Sequence, residues 1–269
     1  MILPFAVRAF RGYTDIVSLP GLSGTLIEPD SVEPLSVFAD FARSRGWVSG
    51  YLQLSYANSG LAVSSLPTVQ AHNHLFVFDL DTWSADVSLG HNMRKTLRRC
   101  DRDGAILTTD QDRLSRAFPD LYAESMRRFG KAVDFGPDVL RRWFADPCVT
   151  LFGGERNGRL EIVALCRRLG HRAEGHLVGS TDQSRDLHAW LFWKTAEAFG
   201  QHGVTEYNIG GYGTLGDGLD QLKTRLGARR VPMGAVRQIY DVTAFGRLCA
   251  EMAADPNSRY FPPYRTPGA

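Results

Sequence analysis

The chain has 269 residues, of which 43% are hydrophobic and 22% charged, a composition typical of a soluble globular protein with one large or two small domains. Its formal net charge is only +2, so bulk charge indicates no class of partner. No segment reaches the roughly 18 consecutive apolar residues of a membrane span. The start of the chain lacks the basic leader of a secretory signal, and we therefore expect a cytoplasmic protein.

The cysteines are widely scattered, and none belongs to a C-x-x-C pair. Zinc requires closely spaced thiolate or imidazole ligands, so we expect no structural metal site. Reduced, mostly buried thiols are the expectation for all four. They are Cys100, Cys148, Cys166 and Cys249.

The first half of the chain contains two helical and two extended patterns. Apolar residues recur every three or four positions in the helical segments, and they alternate or run together in the extended ones. Glycine, a common residue at helix ends, follows both helical segments. The predicted elements are a helix that starts at Asp30 or Ser31 and ends at Gly46, a strand in residues 47–55, a strand over Leu75–Leu80, and a helix from about Asp86 to Asp103.

The predicted helix that ends at Asp103 is strongly basic outside its apolar face. Met93, Leu97 and Cys100 form that inner face, and cations cover the remaining surface. Such a surface can contact phosphates of a nucleotide or tRNA, or it can simply be solvated. The cations are Arg94, Lys95, Arg98, Arg99 and Arg102.

The second half predicts a mixed sheet. After the strand "AILTT" come helices over Asp112–Phe129 and Pro137–Phe144. The strands "VTLFGG" and "RLEIVALCRRL" flank a hairpin turn at Asn157-Gly158 and precede a third strand, "RAEGHLVGS". The helix "LHAWLFWKTAEAFGQHG" then leads to the strand "VTEYNI". Three antiparallel strands, a crossover helix and a parallel strand belong to an α/β or α+β domain.

A glycine-rich stretch follows the last of these strands. Its amides at Gly210, Gly211 and Tyr212 can bind a phosphate or a developing oxyanion, although a mobile surface loop is the alternative. The letters G-x-G-x-x-G occur, but the loop continues where a dinucleotide fingerprint should open a helix. Lys223 lies on the next short helix, where its ammonium can stabilise an oxyanion or remain a solvated cation.

A polar loop and several histidines are weaker candidates. "GSTDQS" joins a strand to a helix, so Ser180 and Asp182 can line a pocket or cap that helix. No carboxylate or nucleophile stands at a diagnostic spacing from His171, His176 or His188. We expect these histidines to be structural.

Several segments together resemble the Fem-type peptidyltransferases and their relatives. "FVFDLDTW…LGHNMRKTLRRCDRDGAILT" is similar to their strand, basic helix with an N-x-R-[KR] core, glycine and second strand. "HLVGSTDQSRDLHAWLFWKTAEAFGQHGVTEYNIGG" is similar to their helix and strand ending in D-[LIF]-G-G, and "DGLDQLKTRLGA" to their G-L-x-x-F-K-x-x-F-G. The residues that match the basic-helix pattern are Asn92, Arg94, Lys95, Arg98, Arg99 and Gly104.

The resemblance implies an α/β (α+β) fold of two GNAT-like units, with mixed sheets flanked by helices and a shortened first unit. We assign residues 1–110 to the first unit, 111–257 to the second and 258–269 to a loose tail. It further implies transfer of an aminoacyl or acyl group to a small-molecule or peptide amine. Charged tRNA is the favoured donor and acyl-CoA the alternative; no further cofactor is expected.

The resemblance also assigns roles to residues. The motif lysine, taken to stabilise the tetrahedral intermediate, is Lys223, with amides near Gly210 and Gly211 sharing the oxyanion. The basic helix would bind phosphates of the donor or acceptor. The residues assigned to that second role are Arg94, Lys95 and Arg98.

The chain departs from the family pattern at several positions. Leu222 and Leu226 replace motif aromatics, and Asn208 replaces the motif aspartate. GNAT enzymes that use acetyl-CoA place small residues at the start of the crossover helix, where His188 and Trp190 stand here and would block a pyrophosphate. A non-catalytic binding module is therefore an alternative to a transferase.

Overall fold

The computed structural model describes residues 1–19, 24–27, 33–56, 69–84, 89–184, 186–211, 216–258 and 260–266. The chain divides into two compact units, one formed by Met1–His74 with Val231–Ala269 and the other by Leu75–Arg230. The predicted boundary between residues 110 and 111 therefore falls inside the second unit.

The described residues form ten strands and seven α-helices. The strands are β1 (Phe5–Phe10), β2 (Tyr13–Ser18), β3 (Ser49–Gln53), β4 (Val69–Asp79), β5 (Ala105–Thr108), β6 (Val149–Arg156), β7 (Arg159–Leu169), β8 (Arg172–Ser180), β9 (Glu206–Gly211) and β10 (Arg229–Ile239). The helices are α1 (Glu33–Ser44), α2 (His91–Arg102), α3 (Gln111–Arg128), α4 (Pro137–Phe144), α5 (Leu187–Gln201), α6 (Gly218–Arg225) and α7 (Val242–Glu251). Among these helices none has the length and apolar character needed to span a bilayer.

The first unit begins with a hairpin that the sequence patterns did not predict. β1 and β2 pair antiparallel across a turn in which Arg11 and Gly12 have φ of 47° and 81°. Two consecutive residues with positive φ give a turn whose twist matches that of the strands. β2 then pairs parallel with β3, which pairs antiparallel with β10. Helix α1 covers this unit through Leu35, Ala39 and Ala42.

Residues 260–266, which belong to the expected loose tail, pack into this unit. The Tyr264 side chain is fully buried, and its hydroxyl donates to Asp15 Oδ2 at 3.1 Å and lies 2.8 Å from Ser49 Oγ. Arg265 Nε donates to the same Asp15 oxygen at 2.6 Å. The segment is ordered because it neutralises a buried carboxylate and fills the apolar cluster around Phe245 and Leu248.

The second unit contains the predicted mixed sheet. Strands β5, β6, β7 and β8 pair antiparallel in sequence order, β8 pairs parallel with β9, and β9 pairs antiparallel with β4. Asn157 and Gly158 form the predicted hairpin turn, with φ of 53° and 74°. Helix α5 is the crossover between β8 and β9. This arrangement confirms the predicted fold class of mixed α/β architecture.

Helices cover both faces of this sheet. On one face, α2 and α5 enclose a core that includes Leu97, Cys100 and Trp190. On the other, α3 and α4 pack over a second core through Phe118 and Leu140. Because β5 pairs with β6 and α2 shares a core with α5, residues 89–110 belong structurally to the second unit.

Candidate functional site

The candidate site lies where two parallel strands of the second unit separate. The pairing of β8 with β9 runs from Arg172 and Glu206 to Glu174 and Asn208, and both strands continue beyond it. A bulge in the β7–β8 pairing and the φ of 79° at Gly210 redirect the backbones there. A cavity of about 350 Å³ opens between the separated ends.

The lining of the cavity comes from six elements of the second unit. Most of it is apolar, and the polar groups are few, as in small-molecule sites generally. The residues with chemistry to offer are Ser125 on α3, His176 and Ser180 on β8, His188 on α5, Gly210 and Gly211 on β9, and Lys223 on α6.

Lys223 is a buried cation in the wall of this cavity. The residue is 3% exposed, and its Nζ donates to the Gly211 carbonyl oxygen at 2.7 Å. The ammonium lies 5.7 Å from the ring centre of Phe76 and 5.9 Å from that of Phe192, within cation–π range. Burial lowers the pKa of Lys223 to about 8, although the Asp217 carboxylate opposes this shift.

Helix α6 holds that lysine in place through its first turn. The Asp217 side chain caps the helix by accepting from the Asp220 amide at 2.8 Å. Asp220 is 2% exposed and accepts two hydrogen bonds from the Arg230 guanidinium, at 2.9 and 3.1 Å. This bidentate ion pair joins α6 to the start of β10.

Gly210 brings the backbone of β9 close to the lysine. A Cβ at this position would lie 3.5 Å from Lys223 Nζ and 3.9 Å from the Gly175 carbonyl oxygen. The Gly210 amide donates to Asn208 Oδ1 at 2.8 Å, so it does not face the cavity as an oxyanion donor, contrary to expectation. Asn208 stands where the sequence resemblance leads us to expect an aspartate, and its Nδ2 is buried with no hydrogen-bond partner among the residues the structure describes.

A second polar group in the cavity wall joins α3 to the end of β8. The Ser180 amide donates to Ser125 Oγ at 2.8 Å, and Arg128 Nη2 donates to Ser180 Oγ at 2.9 Å. Arg128 Nη1 also donates to the Ser180 carbonyl at 3.1 Å. These contacts hold the Ser180 hydroxyl in place beside the Arg128 guanidinium.

Two histidines expected to be structural lie in the cavity wall. Burial and the Arg128 charge lower the pKa of His188 to about 4, and burial with the Arg167 charge lowers that of His176. Both imidazoles are therefore neutral near pH 7. His176 also packs against the Trp143 ring at 4.8 Å. No spacing pattern in the sequence marks them, because their neighbours come from distant segments.

Glu174 is a further titratable group, and no pattern in the sequence selects it. It occupies the last position at which β8 pairs with β9, next to Gly175 of the cavity wall. Burial raises its pKa to about 7, against the opposing charges of Arg167 and Arg172.

The structure brings together only part of the predicted site. Lys223, Gly210, Gly211 and Ser180 line the cavity, whereas Asp182 lines a separate, smaller pocket. The basic-helix residues lie on α2 and line neither; they are Arg94, Lys95 and Arg98. Tyr212 falls outside the described residues.

The start of α5 also differs from expectation. Trp190 points into the core and donates from Nε1 to Asp101 Oδ1 at 2.7 Å, so its indole does not block the helix terminus. The carboxylate of Asp186 occupies that terminus, where Arg156 donates to it at 2.9 Å. Over the described ranges, no cluster of three potential ligands could hold a metal ion.

Comparisons with known proteins identify the fold. No protein-family model matches the sequence, and the search of curated proteins also gives no match. The structure is similar to that of FemX, at 12% sequence identity and a TM-score of 0.68, over 90% of this chain and 85% of that one. It is also similar to L-PGS from Bacillus licheniformis, at 14% identity and a TM-score of 0.64, over 89% and 82%.

A third similar structure is a tandem GNAT protein from the clavulanic acid biosynthesis pathway. It shares 12% identity and a TM-score of 0.50 over 87% of this chain and 78% of that one. The chain thus shares the fold of these proteins, which is the Fem-type, GNAT-like fold that the sequence resemblance implied.

Proposed function

We propose that the protein is an N-acyltransferase that transfers an aminoacyl or acyl group to an amine acceptor. The observation that carries this proposal is the buried Lys223 ammonium, fixed at 2.7 Å from the Gly211 carbonyl in the wall of the cavity. A fixed cation in a water-poor site stabilises the negative charge that develops on a carbonyl oxygen during attack.

The acyl-transfer reaction needs little else from the protein. An activated ester or thioester donor supplies the leaving group, so alignment of the amine and stabilisation of the oxyanion are the main requirements. The neutral imidazoles of His176 and His188 offer acceptors for a proton from the attacking amine. The nitrogen then bonds to the acyl carbon, and the donor leaves as an alcohol or thiol.

Aminoacyl-tRNA is the donor that the charges favour. Asp182 and Asp186 place carboxylates at the turn into α5, and Asp186 already pairs with Arg156, a cation that a CoA pyrophosphate would need as its partner. By contrast, Lys95 and Arg98 present exposed cations on α2, suited to the phosphates of an RNA acceptor stem.

The two leucine replacements do not support the alternative that the protein is a non-catalytic binding module. Leu226 is fully buried in the core beside α5, and Leu222 packs against the same core. Both therefore preserve packing where the family has aromatic rings, and neither removes a polar group from the cavity.

A donor-consumption assay tests the proposal. The purified protein is incubated with a mixed pool of charged tRNAs, or separately with acyl-CoAs, in the presence of amino acids and dipeptides as amines. We expect loss of charged tRNA with wild-type protein and almost none with Lys223→Ala, while Lys131→Ala, which changes an exposed lysine, behaves as wild type. Consumption of acyl-CoA alone would overturn the donor assignment, and consumption of neither donor would overturn the transferase.

A further inference from the structure

A second pocket adjoins the cavity but differs from it in chemistry. Its volume is about 160 Å³, and three carboxylates and one guanidinium line it. These groups belong to Glu124, Glu161, Asp182 and Arg159, with Leu160, Thr181 and Gln183 completing the wall. Glu124 already pairs with Arg128 at 3.9 Å, but the other two carboxylates still outnumber the one guanidinium, which favours a cationic occupant.

Glu161 is the unusual member of this pocket. It is 8% exposed, and its Oε2 has no hydrogen-bond partner; no cation of the described residues lies within ion-pair distance of it. The nearby Arg156 guanidinium donates to Asp186 through Nη2; its charge also acts on Glu161, but it makes no hydrogen bond to that carboxylate. Leaving a buried carboxylate oxygen without a partner is costly, which indicates a binding site for a donor that is not part of this chain.

Thr181 supplies a second oxygen to the same wall. Its Oγ1 is also buried and without a partner in the described part of the chain, while its backbone amide donates to the Glu161 carbonyl at 2.8 Å. Thr181 follows the last residue of β8, so the two residues are hydrogen-bonded neighbours at the end of the β7–β8 pairing, with two unused acceptors. An ammonium group has three N–H donors and no acceptor, so it can donate to both of these oxygens.

We infer that this second pocket binds an alkylammonium group of a ligand. The volume corresponds to about five water molecules, enough for an ammonium with a short alkyl stem and too small for a nucleotide. Leu160 offers an apolar surface to the stem. No group of three metal-ligating side chains was found among the described residues, which favours an organic cation over a metal ion.

The pocket lies next to the cavity, and it is distinct from the place where the acyl group would react. Ser180 and Ser125 line the cavity, and their chain neighbours Thr181 and Glu124 line the pocket. Gly175, which is close to Lys223, is six residues from Thr181, or about 20 Å along a strand. The bound ammonium is thus a recognition group remote from the reacting amine.

Ligand-observed NMR with n-butylammonium as the probe tests this inference on the full chain. Butyrate and 1-butanol serve as anionic and neutral probes of the same shape. We expect saturable binding of n-butylammonium only. Equal binding of butyrate, or no binding of n-butylammonium, would overturn the inference and leave the proposed function untouched, because no acyl donor is present.

Substitutions at Glu161 and Thr181 test whether n-butylammonium binds in this pocket. Glu161→Gln should weaken n-butylammonium binding about tenfold, since the ammonium then donates to a neutral amide oxygen in place of a carboxylate. Glu155→Gln makes the same change outside the pocket, where the carboxylate pairs with Arg113, and should bind as wild type. Thr181→Val, which keeps the shape of the side chain, should also weaken binding. Unchanged affinity in both pocket variants would contradict the assignment.

Discussion

The Lys223 ammonium donates a hydrogen bond of 2.7 Å to the carbonyl oxygen of Gly211, joining α6 to the last residue of β9. The bond uses one of the three N–H donors of the ammonium and fixes its direction. Because the residue is 3% exposed, little reorganisation of water accompanies a charge that develops beside it. The lysine is therefore preorganised for an anion in the cavity.

Removal of this cation should slow transfer with the fold retained. Lys223→Ala is expected to lower kcat about 10²–10³-fold, the usual loss for one oxyanion donor. Lys223→Arg keeps the charge in a planar, bulkier group and should recover only part of the rate. Kinetics under saturating donor, with circular dichroism as the control for folding, measure both. A wild-type kcat in Lys223→Ala would exclude the lysine from the chemistry.

The pH dependence distinguishes two roles for the same lysine. Burial lowers its pKa from 10.5 to about 8, so the ammonium form is lost as the pH rises through 8. If the ammonium stabilises the oxyanion, kcat falls above pH 8 in the wild type. The fall should be absent in Lys223→Arg, because a guanidinium remains protonated. A kcat that instead rises through pH 8 would make the neutral amine a base and contradict the oxyanion role.

Alanine substitutions at Gly210 and Gly203 separate the effect of backbone strain on stability from an effect on kcat. Both have positive φ, 79° and 74°, so alanine at either position should cost about 1–2 kcal/mol of stability. Only at Gly210 does the new methyl meet a neighbour, Lys223 Nζ at 3.5 Å. Urea unfolding should show similar losses for the two variants, whereas kcat should drop in Gly210→Ala alone. Equal kcat values would show that the backbone at Gly210 does not position the lysine.

The second unit was largely predictable because its patterns are local. Alternation, the Asn157-Gly158 turn and the apolar helix predicted three antiparallel strands, a crossover and a parallel strand, all of which the pairing confirms. The hairpin of β1 and β2 was missed because Arg11 is an uncommon residue at positive φ. No alternation rule identifies such a turn when its first residue is an arginine.

The candidate site was predictable only for residues that lie close together in the sequence. Lys223 follows the glycine stretch by a few residues, so their proximity could be expected. The histidines of the cavity, and the carboxylate of Glu161, are placed by the separation of β8 from β9 and by the pairing of β7 with β8. The sequence predicts that β7 and β8 pair, but it does not show the bulge between them or the point where β8 and β9 separate, and these determine which side chains reach the cavity and the pocket.

The buried end of the chain gives a stability prediction for the first unit. Tyr264→Ala should cost about 3–5 kcal/mol, the usual loss for a large buried ring. It also removes a hydrogen bond from the Asp15 carboxylate. Tyr260→Ala, at an exposed position of the same segment, should change stability by less than about 0.5 kcal/mol. Equal unfolding midpoints in urea for the two variants would mean that this segment does not contribute to the core.

The ion pair of Asp220 with Arg230 should determine how firmly α6 holds Lys223. Asp220→Asn keeps the shape of the side chain but removes the charge of a 2% exposed group, so we expect a loss of about 1–3 kcal/mol together with a lower kcat. Asp138→Asn makes the same change in an exposed pair with Arg141, where the loss should stay below about 0.5 kcal/mol.

Stability and kcat should respond together in this pair of variants because α6 is the element that carries the cation. The Arg230 side chain is 44% exposed, so water can solvate it once Asp220 is neutral, which keeps the stability loss moderate. The larger effect should therefore appear in kcat, through a less fixed ammonium. A destabilised Asp220→Asn variant with wild-type kcat would show that Lys223 is held by Gly211 and its apolar surroundings alone.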